Sequence, residues 1–233
     1  EPRRVQEELA NGNIVVVAGF QGITSEMDVT TLGRGASDLT AVALAAGLGA
    51  DRCEIYTDVK GIYTADPRLV PEARKLDEVG FEEMLELASY GAKMDPRSIE
   101  LGMAFDVPIL VASSFDRAQG TLIHGRTGMD SKVGEIRNRV RGIATDENVA
   151  KITVRGLIDR PGISASLFEP LATADISVDV IVQNSSVDGT TDLTFTVERT
   201  DLLRALEVVE PVAVGLGSPR VVSAADLAKV SIV

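Results

Sequence analysis

Apolar residues are set in two rhythms along the chain, blocks in the first part and alternation from Ile143 onward. The leading block, Ile14-Val15-Val16-Val17-Ala18-Gly19-Phe20, is apolar almost throughout. Such a run predicts a strand of a parallel sheet covered on both faces. Arg4 to Leu9 reads as the end of a short helix, turned by Asn11-Gly12-Asn13, and Gln21 to Asp28 as polar loop. A helix is predicted from about Ser37 to Leu48, stopped by Gly47 and Gly49, and a second short strand over Cys53–Thr57. Strand, loop, helix and strand in that order make a βαβ unit with a right-handed crossover. Glu72 to Glu78 reads as charged connection. Phe81 to Tyr90 puts Phe81, Met84, Leu85 and Ala88 on one helical face. Arg97 to Ala104 is a further helix, Val107–Val111 a further strand, and Ser113 to Thr121 a loop.

The second rhythm begins with an alternating strand over Asn148–Val154. Asp159-Arg160-Pro161-Gly162 turns it into a helix over Ile163–Ala172. Strands follow over Ile176–Gln183 and Leu193–Val197, joined by the turn Asp188-Gly189-Thr190-Thr191. Thr200-Asp201 caps a helix over Leu202–Val209, and Val221-Val222 and Lys229–Val233 give more strand. The order βαββα with strand to follow describes a small two-layer sandwich of ferredoxin-like type.

Composition narrows the partners. With 233 residues the chain suits one or two domains, and its net charge of -12 argues against a nucleic-acid surface or a polybasic membrane patch. The single cysteine, Cys53, excludes an internal disulfide framework and fits a reducing, cytoplasmic compartment. Cys53 and the one histidine, His124, are too few for a thiolate–imidazole zinc cluster. Any catalytic metal is expected on oxygen ligands, most simply magnesium carried in by a nucleotide. The chain starts at Glu1 with no signal peptide and stops in the strand-like Leu227–Val233. Both ends read as cut, so a fragment is expected. The basic run within Asp130–Arg141 reads as a solvated connector.

Candidate chemistry gathers at Thr30-Thr31-Leu32-Gly33-Arg34-Gly35-Ala36-Ser37-Asp38. Glycines let backbone N–H groups approach an anion, the helix start carries partial positive charge, and Arg34 offers a planar fork for carboxylate or phosphate. Ser37 or Asp38 is a natural helix cap. The plainer alternative is a capped glycine turn with Arg34 solvated. A second concentration, Thr57-Asp58-Val59-Lys60-Gly61-Ile62-Tyr63-Thr64-Ala65-Asp66-Pro67-Arg68, follows the Cys53–Thr57 strand, where open α/β sheets bind ligands. Its plainer alternative is a polar surface loop with an Asp-Pro turn.

Val17-Ala18-Gly19-Phe20-Gln21-Gly22, Thr30 to Asp38, Glu54 to Val59, Gly61 to Arg68 and Gly91-Ala92-Lys93 together resemble the aspartate kinases of the amino-acid kinase fold. Asp159 to Gly162, Ile176 to Asp179, Ile181 to Asn184 and Asp188 to Asp192 resemble the ACT regulatory domain of the same enzymes. The resemblance runs in order through nearly all of the chain. It implies an α/β architecture: the C-terminal part of an amino-acid kinase fold, a mainly parallel sheet flanked by helices, over residues 1–143. A ferredoxin-like βαββαβ ACT domain over 144–217 and the start of a second, truncated one over 218–233 complete the implied organisation. The implied reaction is ATP plus L-aspartate giving 4-phospho-L-aspartate and ADP, the first step toward lysine, threonine and methionine.

By that resemblance Arg34 and Ser37 bind aspartate, and Asp38 orients magnesium. Thr57, Asp58, Tyr63 and Arg68 contact ATP, Lys93 reaches the phosphates, and Met94 gives an apolar contact to adenine. Asp159, Gly162, Ile163, Gln183 and Asn184 line a lysine or threonine effector site. ACT domains also imply a homodimer or hetero-oligomer. Three departures stand out: Ala36 replaces a usual glycine, Met94-Asp95-Pro96 is one residue shorter than the usual segment and lacks its histidine, and no Lys-Phe-Gly-Gly-Thr-Ser opening precedes Glu1. The chain alone is therefore expected to show no kinase activity. Two other readings compete. A different kinase, such as one acting on acetylglutamate, fits the joined ACT region less well. A non-catalytic amino-acid-binding subunit fits the intact Thr30–Asp38 and Thr57–Arg68 motifs less well.

Overall fold

The computed structural model describes residues 2–33, 35–91, 94–125, 140–185, 189–218 and 220–233. Two units divide it, one of residues 1–145 with 230–233, the other of residues 146–229. Arg34, Lys93, Asp188 and most of the Asp130–Arg141 run lie outside the described residues.

In the first unit, α1 (Arg3–Ala10) is followed by a chain without regular structure up to Gly19. Here the sequence expectation fails. Ile14–Phe20 forms no strand, and Ile14 and Val16 are 96% and 93% exposed. An extended apolar run becomes a strand only where a neighbour takes up its N–H and C=O groups. Among the described strands none pairs with it. The βαβ unit expected around the first long helix therefore lacks its first strand. Nor is Gln21–Asp28 simply loop: β1 (Gln21–Ile23) pairs antiparallel with β2 (Val29–Thr31) in a small hairpin.

Helix α2 (Ala36–Leu48) follows. Its cap is Gly35, in left-handed backbone and two residues before Ser37, so Ser37 and Asp38, the expected caps, sit inside its first turn. Gly49, also left-handed, ends it. The unit's main sheet has the order β3-β5-β6-β4, from β3 (Cys53–Thr57), β5 (Ile109–Ser113), β6 (Thr121–His124) and β4 (Glu78–Gly80). Pairs β3/β5 and β4/β6 are parallel, and β5/β6 is antiparallel. Helices α3 (Phe81–Ser89) and α4 (Pro96–Phe105) lie in sequence between β4 and β5. Phe81, Met84, Leu87 and Ala88 bury one face of α3, and join Val42, Ile99, Ile109 and Ile123 in one core.

The loop carrying Tyr63 is tied to this sheet by a buried hydroxyl. Thr121 Oγ1 accepts from the Ile62 N–H at 2.9 Å and donates to the Leu76 carbonyl at 2.5 Å. Gly61 has φ of 145°, and a Cβ there would stand 2.5 Å from that hydroxyl, so no side chain fits.

The second unit carries a sheet of order β10-β7-β9-β8, in which β7/β9 and β8/β9 are antiparallel. Its strands are β7 (Ile143–Ile158), β8 (Val178–Ser185), β9 (Thr190–Glu198) and β10 (Arg220–Ile232). Helices α5 (Ile163–Thr173) and α6 (Leu202–Gly215) complete the βαββαβ order. Strand β9 shows why the fold forms. Thr191, Leu193, Phe195 and Val197 alternate into the core, where Phe195 meets Phe168 edge-on at 5.2 Å between ring centroids. A bulge interrupts β7 between Val154 and Leu157, where Gly156 has φ of 68° and its N–H donates to Asp192 at 2.9 Å. The stretch 218–233, expected to open a further domain, contributes β10 to the edge of this sheet.

Candidate functional site

The glycine stretch is built around backbone only glycine adopts easily. Gly33 and Gly35 have φ of 94° and 80°. This turns the chain sharply from β2 into α2. Asp38 projects from the first turn of α2 and is half-buried, whereas Ser37 is exposed. Burial first, and then the negative charge of Asp95, push the Asp38 carboxyl above the ordinary carboxylate range. Cys53, in β3, is buried, and burial, Asp38 and Glu54 raise its thiol in turn.

Two residues that carried no role in the sequence reading complete this corner. Asp95 caps α4, accepting from the Arg97 N–H at 3.0 Å, with Pro96 in the first helical position. Arg97 returns its guanidinium to the same carboxylate, Nε to Oδ1 at 3.1 Å and Nη2 to Oδ2 at 2.8 Å, while Nη1 donates to the Leu32 carbonyl at 3.0 Å. These bonds hold the Asp95 carboxyl below its ordinary range. The sequence signal was present in Asp95-Pro96, a helix-start signature that also marks a break.

The second cluster lies at the carboxyl end of β3. Thr57 Oγ1 donates to Asp58 at 3.0 Å. Tyr63 forms an isolated antiparallel bridge with Lys75. Arg68 is exposed and binds Asp66 side-on, Nε reaching both oxygens at 3.0 and 3.2 Å. Met94 is 8% exposed and part of the first unit's core. Among the described residues no three of His, Cys, Asp and Glu lie close enough to hold a metal ion.

In the second unit, Asp159, Gly162, Ile163 and Gln183 line a cavity of about 470 Å³ together with Arg160 and Ser164. It opens at the start of α5, where Gly162 takes left-handed backbone at the cap position. Ser164 Oγ donates to Gln183 Oε1 at 3.4 Å. Asn184 is not among the lining residues; its carbonyl accepts from Thr191 at 2.9 Å. Successive strand residues face opposite ways, which separates it from Gln183.

Comparison with known proteins agrees with both halves of this geometry. Residues 1–113 match the amino acid kinase family, and residues 152–211 match the ACT domain. The aspartokinase of Pseudomonas aeruginosa is 47% identical over 230 residues, covering 98% of this chain and 55% of that protein. This chain belongs to the aspartokinase family. Among solved structures, Escherichia coli aspartokinase III in complex with aspartate and ADP, in its R-state, is similar with a TM-score of 0.72 and 32% identity. That likeness covers 98% of this chain and 51% of the other. The same enzyme in complex with lysine and aspartate, in its T-state, is similar with a TM-score of 0.71 and 32% identity, over 99% and 51%. The chain spans about half the length of the relatives it matches. No described helix is long and apolar enough to cross a membrane.

Proposed function

We propose that a protein of the relatives' full length carrying this chain is an aspartate kinase, transferring the γ-phosphoryl group of ATP to the side-chain carboxylate of L-aspartate. The observation that carries this is the likeness, over nearly the whole chain, to an enzyme whose structure holds aspartate and ADP. In this reaction a carboxylate oxygen attacks the γ-phosphorus, the bond to ADP breaks, and 4-phospho-L-aspartate leaves. Aspartate is ionised at neutral pH, so no general base is required. The task is to bring two negative groups together and in line.

The roles follow from that task. Arg34 clamps the substrate α-carboxylate, a planar fork on a planar group, and Ser37 adds a hydrogen bond from the first turn of α2. Lys93 neutralises charge on the moving phosphoryl group. Thr57, Asp58, Tyr63 and Arg68 hold the nucleotide at the end of β3, and Met94, at the surface of the core, gives an apolar contact to adenine. The donor set suits a cation bound mainly through phosphates and water, since no three carboxylates gather among the described residues, and by the family resemblance the half-buried Asp38 would hold magnesium. When bound, magnesium supplies neutralisation of the phosphate charge. In a coupled assay, ADP release is expected to depend on aspartate; equal release without aspartate would contradict the assignment.

The second unit is assigned to feedback regulation by lysine, threonine or both. Its cavity offers Asp159 for an ammonium group and the amino end of α5 for a carboxylate, the two charges of a free amino acid. Gln183→Ala is expected to raise the half-inhibiting concentration of the effector about tenfold, the loss of one hydrogen bond to a charged group. Assays with lysine and threonine, singly and together, identify the effector, and an unshifted inhibition curve removes Gln183 from the site. Assembly as a homodimer or hetero-oligomer through this unit is supported by β8, an edge strand whose Val180, Ile181 and Val182 are exposed. A single buried cysteine supports a cytoplasmic location.

A further inference from the structure

We propose that Lys75 and Thr121 form a clamp that holds the loop carrying Tyr63 and Arg68 in place for MgATP, as positioning residues rather than catalytic ones. The nucleotide purpose rests on the aspartate-kinase reading; the clamp itself rests on geometry. The loop is an arm on a two-sided stem. Residues 62–64 run antiparallel to residues 74–76, and Tyr63 faces Lys75 between them. The Thr64 N–H donates to the Arg74 carbonyl at 2.9 Å, and the Leu76 N–H to the Ile62 carbonyl at 2.8 Å. The Arg74 N–H adds a bond to Thr64 Oγ1 at 3.0 Å. Beyond the stem the chain turns at Asp66, whose carbonyl accepts from the Leu69 and Val70 N–H groups at 3.0 and 2.8 Å. Arg68 stands in that turn.

Two side chains fasten the foot of this stem to β6. The fully buried Thr121 hydroxyl accepts from the Ile62 N–H and donates to the Leu76 carbonyl, joining both sides of the stem. Lys75 Nζ donates to the Leu76 carbonyl at 3.1 Å, the Gly120 carbonyl at 3.1 Å and the Asp77 carboxylate at 2.8 Å. An ammonium has three N–H groups, and each finds an acceptor. A lysine that serves only solubility leaves its ammonium in water, whereas this one spends two donors on main-chain carbonyls. Farther out, the Thr64 carbonyl takes the Ile143 N–H at 2.7 Å, so loosening the foot leaves the stem attached. The foot also stands where the nucleotide residues gather. Antiparallel pairing puts the start of β6 at the end of the sheet where β3 finishes: Thr121 pairs with Val111, and Val111 with Ile55. The clamp therefore fixes the arm at the edge that carries Thr57 and Asp58. Without it, nucleotide binding must also order the arm, which weakens affinity and leaves the phosphoryl-transfer step intact.

Amide hydrogen exchange in the full-length protein tests the clamp without reference to activity. Lys75→Met keeps the aliphatic stem of the side chain and removes the ammonium. In it the Thr64 and Leu76 amides are expected to exchange about tenfold faster, while those of Ile109 to Val111 change by less than about twofold. Saturating MgADP is expected to bring Thr64 and Leu76 back to within about twofold of wild type, because the bound nucleotide then orders the arm. In kinetics, Lys75→Met is expected to raise KM for MgATP about tenfold, with kcat and KM for aspartate moved less than about threefold. A merely weakened fold would instead lower kcat, through loss of native enzyme, and leave both KM values in place. Thr121→Val removes the hydroxyl at similar volume and is expected to act in the same direction, and Thr121→Ser to restore both the exchange and KM for MgATP. Unchanged Thr64 and Leu76 exchange in Lys75→Met overturns the clamp. An unchanged KM for MgATP, or no slowing of exchange by MgADP, overturns its nucleotide purpose. Wild-type protein without aspartate-dependent ADP release overturns the kinase reading, and the exchange experiment still decides the clamp. If Thr121→Val fails to fold, Lys75→Met carries both arms.

Discussion

Asp38→Asn is expected to lower kcat in the full-length protein on the order of 10²–10³-fold at saturating aspartate and MgATP, and at the same time to make the chain more stable at pH 7. The two effects have one cause. Asp38 sits in the first turn of α2, where the helix end favours a negative charge. Burial and Asp95 outweigh that benefit and raise its carboxyl. A folded pKa above the unfolded one means that the folded state holds the proton more tightly. Stability is then greatest below the unfolded value, falls as pH rises through the folded one, and stays lower at neutral pH. Asparagine keeps the shape and carries no charge to desolvate. Its gain in denaturation midpoint is expected at pH 7 and absent at about pH 3, where the wild-type carboxyl is protonated in both states. Loss of stability together with activity would instead mark Asp38 as structural.

Gly120→Val is expected to unfold the first unit while sparing the second. Gly120 is buried immediately before β6, where Thr121 pairs with Val111 of β5. A Cβ there would run into the Val111 carbonyl oxygen, with the Val111 carbonyl carbon at 2.8 Å and Ala112 Cβ at 2.9 Å. Backbone of a central strand cannot step aside as a flexible side chain can. Strand β6 would lift, removing Ile123 from the core and the Thr121 hydroxyl from Ile62 and Leu76. The expected cost exceeds ~3 kcal/mol, beyond ordinary overpacking because the obstacle is main chain. Amide exchange separates the outcomes. Protection is expected to vanish at Ile109–Val111 and persist at Leu193–Val197, and unchanged protection in both places would contradict the packing described.

The sequence disclosed four helices closely, read α6, β7 and β10 well short of their full lengths, and hid the shortest strands, for physical reasons. Helices α2, α3, α4 and α5 carry their own periodicity and stop signals, so their bounds were readable within a residue or two. Strands β4 and β6, three and four residues long, carry too little pattern and exist because the chain pairs them. Ile14–Phe20 showed the converse. Its composition announced a wish for burial but could not say that a partner strand stands alongside. In the site, glycine turns are common and the pattern by itself named no ligand, but Gly33 and Gly35, which both take left-handed backbone, were readable as a turn into a helix. The Asp95–Arg97 pair was not, since Arg97 reads as any second residue of a helix and its contact with Leu32 spans 65 positions. The burial of Met94 was not visible in one residue's identity.

The central claim is that the protein phosphorylates the side-chain carboxylate of aspartate, and the identity of the product tests it most directly. Borohydride reduces an acyl phosphate to an alcohol with release of phosphate, so the position of the new hydroxyl reports which carboxylate was phosphorylated. With full-length protein, MgATP and L-aspartate, reduction is expected to give homoserine in an amount matching the ADP formed. Recovery of 3-amino-4-hydroxybutyrate, the product of reaction at the α-carboxylate, or of unreduced aspartate alone beside ADP, would contradict the account.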